Sequence, residues 1–247
     1  MFELSDAMEV AQIDNIGPNA VTCIVVDNLY ANPDEVRRFA LKHRGEAGKI
    51  NEYCDYGDRL AIKHKDIRNI KEVVDDFVRN RAIWNNWYDE LSYETNWHDA
   101  EFLVNFTSHQ TLVNNPFGLV PHQDTYLRFQ LPSRFGVVIY LNTPEECEGG
   151  TNFYSYLGKQ GVERSLLYEK QFRDMTSADN KCTETYQDLF NQLQISSALE
   201  IEAEIGMRYN RMLIYPVDVL HAPSMAPGWF KDHERIAQVM FLSLIHI

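Results

Sequence analysis

The chain has 247 residues, enough to bury a large core, and its 45% hydrophobic and 24% charged residues are ordinary for a globular protein. It carries 23 basic and 36 acidic side chains, a formal net charge of −13, which repels polyanions and argues against a nucleic-acid partner. No apolar run approaches the roughly 20 residues that span a bilayer, and the acidic start Met1–Asp6 does not resemble a secretion signal. We therefore expect a cytoplasmic protein with neither a membrane nor a nucleic-acid partner.

The four cysteines do not suggest a structural zinc site or a redox dithiol. They are widely spaced and form no C-x-x-C pair: Cys23, Cys54, Cys147 and Cys182. We expect reduced thiols, as is usual in a cytosolic protein.

The first hundred residues predict a strand followed by two helices. Val21 to Val26 is an apolar, β-branched run typical of a strand. Asn32-Pro33-Asp34-Glu35 has the N-cap, first-turn proline and first-turn acids of a helix start. A second helix is predicted from about Asp66, with its apolar face at helical spacing as far as Trp84. These helices are expected to pack on a sheet.

From about Glu101 the pattern changes to short runs rich in β-branched and aromatic residues, separated by Asn, Pro and Gly. The predicted strands are Phe102–Thr107, Gln110–Val113, Leu119–Tyr126, Gly136–Leu141, Thr151–Tyr154, Met212–Tyr215, Val219–Ala222 and Ile236–Ile245. Many short strands at such spacing favour a sandwich or barrel over βαβ units.

A polar stretch at about 160–200 interrupts these strands, and its apolar residues recur at helical intervals. We interpret it as a helical insertion, either a lid or an inert addition. The whole chain, 1–247, is predicted to form a single domain, with a strand and helical scaffold over 1–100 and a β-rich core over 101–247.

One short segment offers two metal ligands. In Val120-Pro121-His122-Gln123-Asp124, His122 and Asp124 are two residues apart, so on a strand both side chains point to the same face. His221 follows 97 residues after Asp124, at the end of another predicted strand. Two histidines and one carboxylate form the facial triad of non-haem iron(II) oxygenases, which leaves three coordination positions open. The motif H-x-D alone is weak evidence, because either residue can simply be a polar surface side chain.

The sequence downstream strengthens this interpretation. It contains Tyr140-Leu141-Asn142 at the end of a strand, then Gly149-Gly150 with Phe153 three residues later, then His221, and finally Arg235 on the last strand. In this order, from about Phe102 to Ile245, the chain resembles the iron(II)/2-oxoglutarate-dependent dioxygenase superfamily, in particular its prolyl-hydroxylase-like branch and uncharacterised bacterial relatives of that branch.

The resemblance implies an α+β fold: a double-stranded β-helix (jelly roll) core with N-terminal helices packed on it. It implies that His122, Asp124 and His221 bind iron(II), that Arg235 pairs with the distal carboxylate of 2-oxoglutarate, and that Tyr140 donates a hydrogen bond to that carboxylate. Dioxygen is the other co-substrate. The expected reaction is hydroxylation of a small amino-acid or peptidyl substrate. Halogenation is not expected, because related halogenases have a small residue in place of the carboxylate at Asp124.

Several alternatives stay open. Arg235 lies 14 residues after His221, a longer gap than in many relatives, so Arg211 or Arg208 is the fallback partner for the carboxylate. Arg235 could instead form a surface ion pair with Glu234 or Asp232, and Tyr140 could be an ordinary core residue. At the level of the whole chain, the alternatives are a cupin-like enzyme that uses another metal and a non-catalytic jelly-roll binding or regulatory module.

Overall fold

The computed structural model describes residues 1–18, 20–48, 57–63, 67–80, 93–98, 101–110, 121–123, 135–156, 199–217, 219–224 and 228–246. Within these ranges the chain forms two antiparallel sheets and two α-helices. The strands are β1 Glu9–Ile16, β2 Val21–Asp27, β3 Asp58–Lys63, β4 Tyr93–His98, β5 Glu101–Thr107, β6 Phe135–Tyr140, β7 Gly150–Tyr156, β8 Leu199–Gly206, β9 Met212–Pro216, β10 Leu220–Ser224 and β11 Arg235–His246.

The larger sheet has the strand order β1-β2-β9-β6-β11-β5-β3. The first part of β11 lies between β6 and β5, and its last part pairs with β4. The smaller sheet has the order β10-β7-β8, and residue His122 joins its β10 edge through an isolated bridge to His221. Strands from the first hundred residues therefore belong to the same sheet as strands from the end of the chain.

The two helices begin and pack as their sequences predict. Helix α1, Pro33–Lys42, has proline in its first turn and acids at Asp34 and Glu35, although the side chain of the N-cap residue Asn32 makes no capping hydrogen bond. Helix α2, Arg68–Asn80, buries Ile70, Val74, Phe77 and Val78. The predicted continuation to Trp84 lies outside the described residues. At 10 and 13 residues, neither helix of the described ranges is long enough to cross a membrane.

The central strands of the larger sheet are buried on both faces. In β6, Val137 and Ile139 belong to one apolar cluster, together with residues of both helices. Val138 and Tyr140 belong to a second cluster, which includes Phe153 of the smaller sheet. Because alternate residues of a strand point to opposite faces, the first cluster fills the helix-covered side and the second fills the space between the two sheets. We call the faces that border this space the inner faces.

The β-rich, antiparallel core that the sequence predicts is confirmed, and the finer double-stranded β-helix topology stays a prediction. The predicted strands that correspond to β2, β5, β6, β7, β9, β10 and β11 are present, with ends shifted by a few residues. The predicted strands Gln110–Val113 and Leu119–Tyr126 and the insertion at about 160–200 lie almost wholly outside the described residues. Cys23 and Cys147 form no disulfide, whereas Cys54 and Cys182 are not described.

Gly149 is required by a close contact that supports the end of β10. Its φ is +71°, and a Cβ built there would lie 1.8 Å from the carbonyl oxygen of Ser224, the last residue of β10. We predict that Gly149→Ala lowers the free energy of unfolding by about 2–4 kcal/mol, because either the turn or β10 must move. Gly206→Ala is the matched control, since a Cβ at Gly206 meets nothing within 4 Å. Equal urea midpoints for the two variants would contradict this prediction.

Candidate functional site

His122 and His221 face each other as a directly opposed pair. The backbone N–H of His122 donates to the carbonyl of His221 at 2.9 Å, and the N–H of His221 donates to the carbonyl of His122 at 3.0 Å. Directly opposed residues of an antiparallel pair have their side chains on the same face. On its other side His221 is opposite Phe153, a member of the cluster between the sheets. Both imidazoles therefore lie on the inner face, with ring centroids 4.9 Å apart.

The tautomer of His221 follows from its hydrogen bonds. Nδ1 lies 2.9 Å from the carbonyl oxygen of Val219, and because a carbonyl only accepts, Nδ1 of the neutral ring must carry the proton. The lone pair is then on Nε2, which lies 3.2 Å from the hydroxyl of Tyr215 and accepts a hydrogen bond from it. Only 4% of His221 is exposed. A buried histidine fixed in this way by a backbone carbonyl has the arrangement that orients metal-binding imidazoles.

The histidine pair fits a metal ion in its donor chemistry and spacing. Two imidazole nitrogens bound about 2.1 Å from one ion, at adjacent coordination positions, hold their ring centroids roughly 4.5 Å apart. The observed 4.9 Å is close to that spacing. The third predicted ligand, Asp124, lies outside the described residues. Within the described ranges no cluster of three His, Cys, Asp or Glu side chains occurs, so the structure brings together two of the three predicted ligands.

The inner face of the larger sheet carries a buried arginine. Arg235 is the first residue of β11, opposite Thr107 of β5, and only 6% of it is exposed. Its guanidinium carbon lies 5.6 Å from the centroid of the fully buried Tyr140 ring. The Tyr140 hydroxyl shares a 2.7 Å hydrogen bond with the hydroxyl of Thr151 in β7. Tyr140 therefore links the two sheets beside the arginine.

Burial and charge act in opposite directions on Tyr140. Burial raises the pKa of the phenol, and the nearby positive charge of Arg235 only partly offsets this. The net shift is upward, so the phenol keeps its proton at neutral pH and can donate a hydrogen bond to an anion.

A buried asparagine, Asn105, also borders the space between the sheets. Asn105 of β5 is opposite Ala237, whereas its neighbours Val104 and Phe106 belong to the helix-side cluster, so Asn105 faces the space between the sheets. It is 5% exposed, and in the described part of the chain its Oδ1 atom accepts no hydrogen bond. Burying an unsatisfied amide costs free energy, and a polar ligand that occupies this space would recover it. Because the orphaned atom is an amide oxygen, it fits a ligand group that donates a hydrogen bond, and it does not help to bind a carboxylate.

The two fallback arginines are engaged elsewhere. Arg211 forms a two-point pair with the carboxylate of Asp27, at 2.7 and 2.9 Å, and the more exposed Arg208 binds the same carboxylate at 2.9 Å. The structure also argues against a surface ion pair between Arg235 and Glu234. Arg235 is buried, and both carboxylate oxygens of Glu234 bind Arg44, at 2.6 and 2.7 Å.

Sequence reasoning missed two residues that touch the predicted site. Tyr215 binds Nε2 of His221, and the alternation of β9 could have placed it on the inner face with Leu213. Asn142 was recognised only as part of a motif, without a role. Its side chain binds the backbone on both sides of Arg235.

The fold and site define a class: a protein of two antiparallel sheets, with a histidine pair and a buried arginine on the faces between them. A family described as a family of unknown function (DUF6445) matches residues 8–234, and the chain belongs to that family. No curated protein matches the sequence.

Several solved structures resemble the chain at low identity. A viral collagen prolyl hydroxylase from Paramecium Bursaria Chlorella virus-1 has 11% identity and a TM-score of 0.43, over 98% of this chain and 93% of its own. A Pseudomonas putida prolyl-4-hydroxylase has 12% identity and a TM-score of 0.39, over 96% and 93%. HygX from Streptomyces hygroscopicus, solved with nickel and 2-oxoglutarate bound, has 11% identity and a TM-score of 0.46, over 96% and 83%. At these TM-scores the likenesses assign no activity to the chain.

Proposed function

We propose that this chain is an iron(II)- and 2-oxoglutarate-dependent oxygenase with a double-stranded β-helix core. The observation that carries the proposal is the cross-strand pair of His122 and His221, on the same inner faces as the buried Arg235 and Tyr140. In the proposal Asp124 joins the two histidines as iron ligands. Arg235 and Tyr140 bind the distal carboxylate of 2-oxoglutarate.

The spacing of the two groups supports a short dicarboxylate. Thr151, which is bonded to Tyr140, precedes Phe153 by two residues on the same face of β7, and Phe153 is opposite His221. Two residues of a strand span about 7 Å. The end carbons of an extended five-carbon chain are about 5 Å apart, and bonds to a metal and to a guanidinium extend that reach at both ends.

The side chains have separable tasks in this proposal. His122 and His221 donate imidazole nitrogens, and the carbonyl of Val219 holds His221 in the tautomer that leaves Nε2 available. Arg235 supplies a planar, permanently charged fork for a carboxylate, and Tyr140 adds a neutral O–H donor. Bound iron(II), with 2-oxoglutarate as the reductant, supplies the dioxygen activation that oxidises an unreactive C–H bond. Burial of Arg235 and Tyr140 excludes water from the carboxylate, which strengthens its binding.

The proposal also covers the substrate class and the cellular location. We propose hydroxylation of an unactivated carbon in a small amino-acid or peptidyl substrate, in a cytoplasmic protein. The net charge of −13 is the reason for choosing such a substrate over a nucleic acid.

Consumption of 2-oxoglutarate tests the proposal. The wild-type protein, incubated in air with iron(II), ascorbate and 2-oxoglutarate, is expected to form succinate slowly even without the substrate. The His221→Ala protein should form no more than a protein-free control. If the wild type forms no succinate above that control, with or without a panel of amino acids and peptides, the result contradicts this proposal and favours the cupin-like alternative with another metal.

Tyr215 offers a sharper test of how His221 binds metal. Its hydroxyl donates to Nε2 of His221, so it competes with a metal ion for the same lone pair. One hydrogen bond of this kind contributes about 0.5–1.5 kcal/mol net. We predict that Tyr215→Phe tightens iron(II) binding by roughly two- to tenfold. Competition with a chromophoric chelator under anaerobic conditions measures this. A substantial weakening would mean that the phenol helps to hold the metal.

A further inference from the structure

Asn142 holds the backbone on both sides of Arg235. Its Oδ1 atom accepts a 2.7 Å hydrogen bond from the N–H of Ile236, and its Nδ2 donates at 2.8 Å to the carbonyl of Glu234. The partners fix the orientation of the amide, because an N–H can only donate and a carbonyl can only accept. Asn142 is fully buried, so solvent does not compete for either bond.

The backbone next to Asn142 adds to this contact. The N–H of Leu141 donates at 3.0 Å to the carbonyl of Ile236, where β6 ends and β11 begins. The Asn142 side chain therefore continues the pairing of the two strands by one more step, at the point where Arg235 enters the sheet.

Asn142 is in turn connected to helix α1 through a carboxylate. Its Nδ2 lies 3.5 Å from Oε2 of Glu146, which also accepts a hydrogen bond from the N–H of Thr143. Arg37 of α1 binds both oxygens of Glu146 at 2.8 Å. The Asn142 side chain therefore contacts the start of β11 on one side and the Arg37–Glu146 ion pair of helix α1 on the other.

We propose that Asn142 is a positioning residue for Arg235. It sets the backbone from which the guanidinium reaches the ligand carboxylate, and it does not touch the ligand itself. This inference rests on the proposed function, because the carboxylate is that of 2-oxoglutarate. Buried charge-assisted hydrogen bonds depend steeply on geometry, so a small displacement of the Arg235 backbone weakens binding.

A double-variant cycle tests this role. Dissociation constants for 2-oxoglutarate are measured anaerobically on iron(II)-loaded wild type, Asn142→Ala, Arg235→Ala and the double variant. We expect about a tenfold weaker binding in Asn142→Ala, with iron(II) affinity unchanged. In the Arg235→Ala background the same change should have little further effect, because residues that act through one another are not additive. Additive effects, or unchanged binding in Asn142→Ala, would overturn the inference.

Asn210→Ala is the matched control. Asn210 is also a buried asparagine that binds the backbone at two points, accepting from the N–H of Tyr30 and donating to its carbonyl, both at 2.9 Å. Its φ of 62° adds strain to an alanine, so this variant should lose at least as much stability as Asn142→Ala. Its 2-oxoglutarate affinity should fall clearly less than that of Asn142→Ala, because its side chain binds Tyr30 and not the strand end at Arg235, and only its backbone N–H reaches the carbonyl of Tyr140. Equal loss of affinity in both variants would show a general effect of destabilisation and would overturn the inference.

Two further outcomes are distinguishable. If Asn142→Ala does not fold, Asn142→Ser, which keeps a hydroxyl and leaves a smaller gap, replaces it in the same cycle with the same expected non-additivity. If wild-type protein binds no 2-oxoglutarate at all, the proposed function fails and the inference fails with it. If wild type binds and Arg235→Ala weakens binding while the asparagine variants do not, only the inference fails.

Discussion

Replacing His221 by alanine is expected to weaken iron(II) binding by at least about a hundredfold, because under the proposed function it removes one of three protein ligands. The fold should survive, since the pairing of His221 with His122 and Phe153 uses backbone atoms that alanine retains. His122→Ala should behave in the same way. Anaerobic iron(II) titration with metal analysis after desalting measures the effect.

His43→Ala is the control for that experiment. His43 ends helix α1, and its side chain pairs with Glu46 on the surface, so its loss should leave iron(II) binding unchanged. Full metal stoichiometry in both His122→Ala and His221→Ala would remove the metal-site interpretation altogether.

Replacing Arg235 by alanine is expected to weaken 2-oxoglutarate binding by about a hundredfold or more. Hydrogen bonds to charged groups contribute about 1.5–3 kcal/mol each, and a guanidinium can form two to one carboxylate. Arg235→Lys keeps the charge but loses the planar fork, so it should bind with intermediate affinity. Iron(II) binding should be unaffected in both variants. Equilibrium titration of iron-loaded protein with 2-oxoglutarate gives the three constants.

Arg211→Ala separates this prediction from the fallback assignment. Arg211 pairs with Asp27 and with the carbonyl of Gly206, and the loss of these contacts should cost stability but not 2-oxoglutarate affinity. A large loss of affinity in Arg211→Ala, together with an unaffected Arg235→Ala, would transfer the carboxylate role to Arg211.

Sequence patterns predicted best the strands that are buried on both faces. β6 and β9 are nearly continuous apolar runs because one face packs against the helices and the other against the smaller sheet. Strand β1 was not predicted, because Glu9, Gln12 and Asp14 interrupt its apolar residues and most of its side chains are exposed. It pairs with β2 as a hairpin, and the turn signal Gly17-Pro18 between the two strands was the local pattern that could have indicated it.

Strand β8 was not predicted, although its sequence alternates between apolar and polar residues. Leu199, Ile201, Ala203 and Ile205 alternate with polar residues, as in a half-buried strand. A register shift separates the two halves, so that Ala203 is opposite Phe153 but Ile201 is opposite Tyr154. Ile201 is 49% exposed, whereas Leu199 in the same half of the strand is 6% exposed. A bulge of this kind is set by the partner strand, and alternation alone does not predict it.

Some residues of the candidate site could be predicted from the sequence, and others could not. The residue types and their order indicated His122, His221, Arg235 and Tyr140, and the structure puts the histidines together as a pair and the arginine beside the tyrosine. The alternation of β9 indicates which face Tyr215 lies on, but not that it contacts His221. The contacts of Asn142 join residues 92–94 positions apart, which no local pattern indicates. Asp124 as a ligand stays a prediction, since it lies outside the described residues.

The most direct test of the central claim is the visible spectrum of the protein with iron(II) and 2-oxoglutarate in the absence of oxygen. Chelation of a triad-bound iron(II) by the keto acid is expected to give a weak charge-transfer band that saturates at one 2-oxoglutarate per iron. The band should be absent in His122→Ala, Asp124→Ala and His221→Ala, and Arg235→Ala should need far more 2-oxoglutarate to reach it. No band in wild type, or the same band in all four variants, would contradict the assignment.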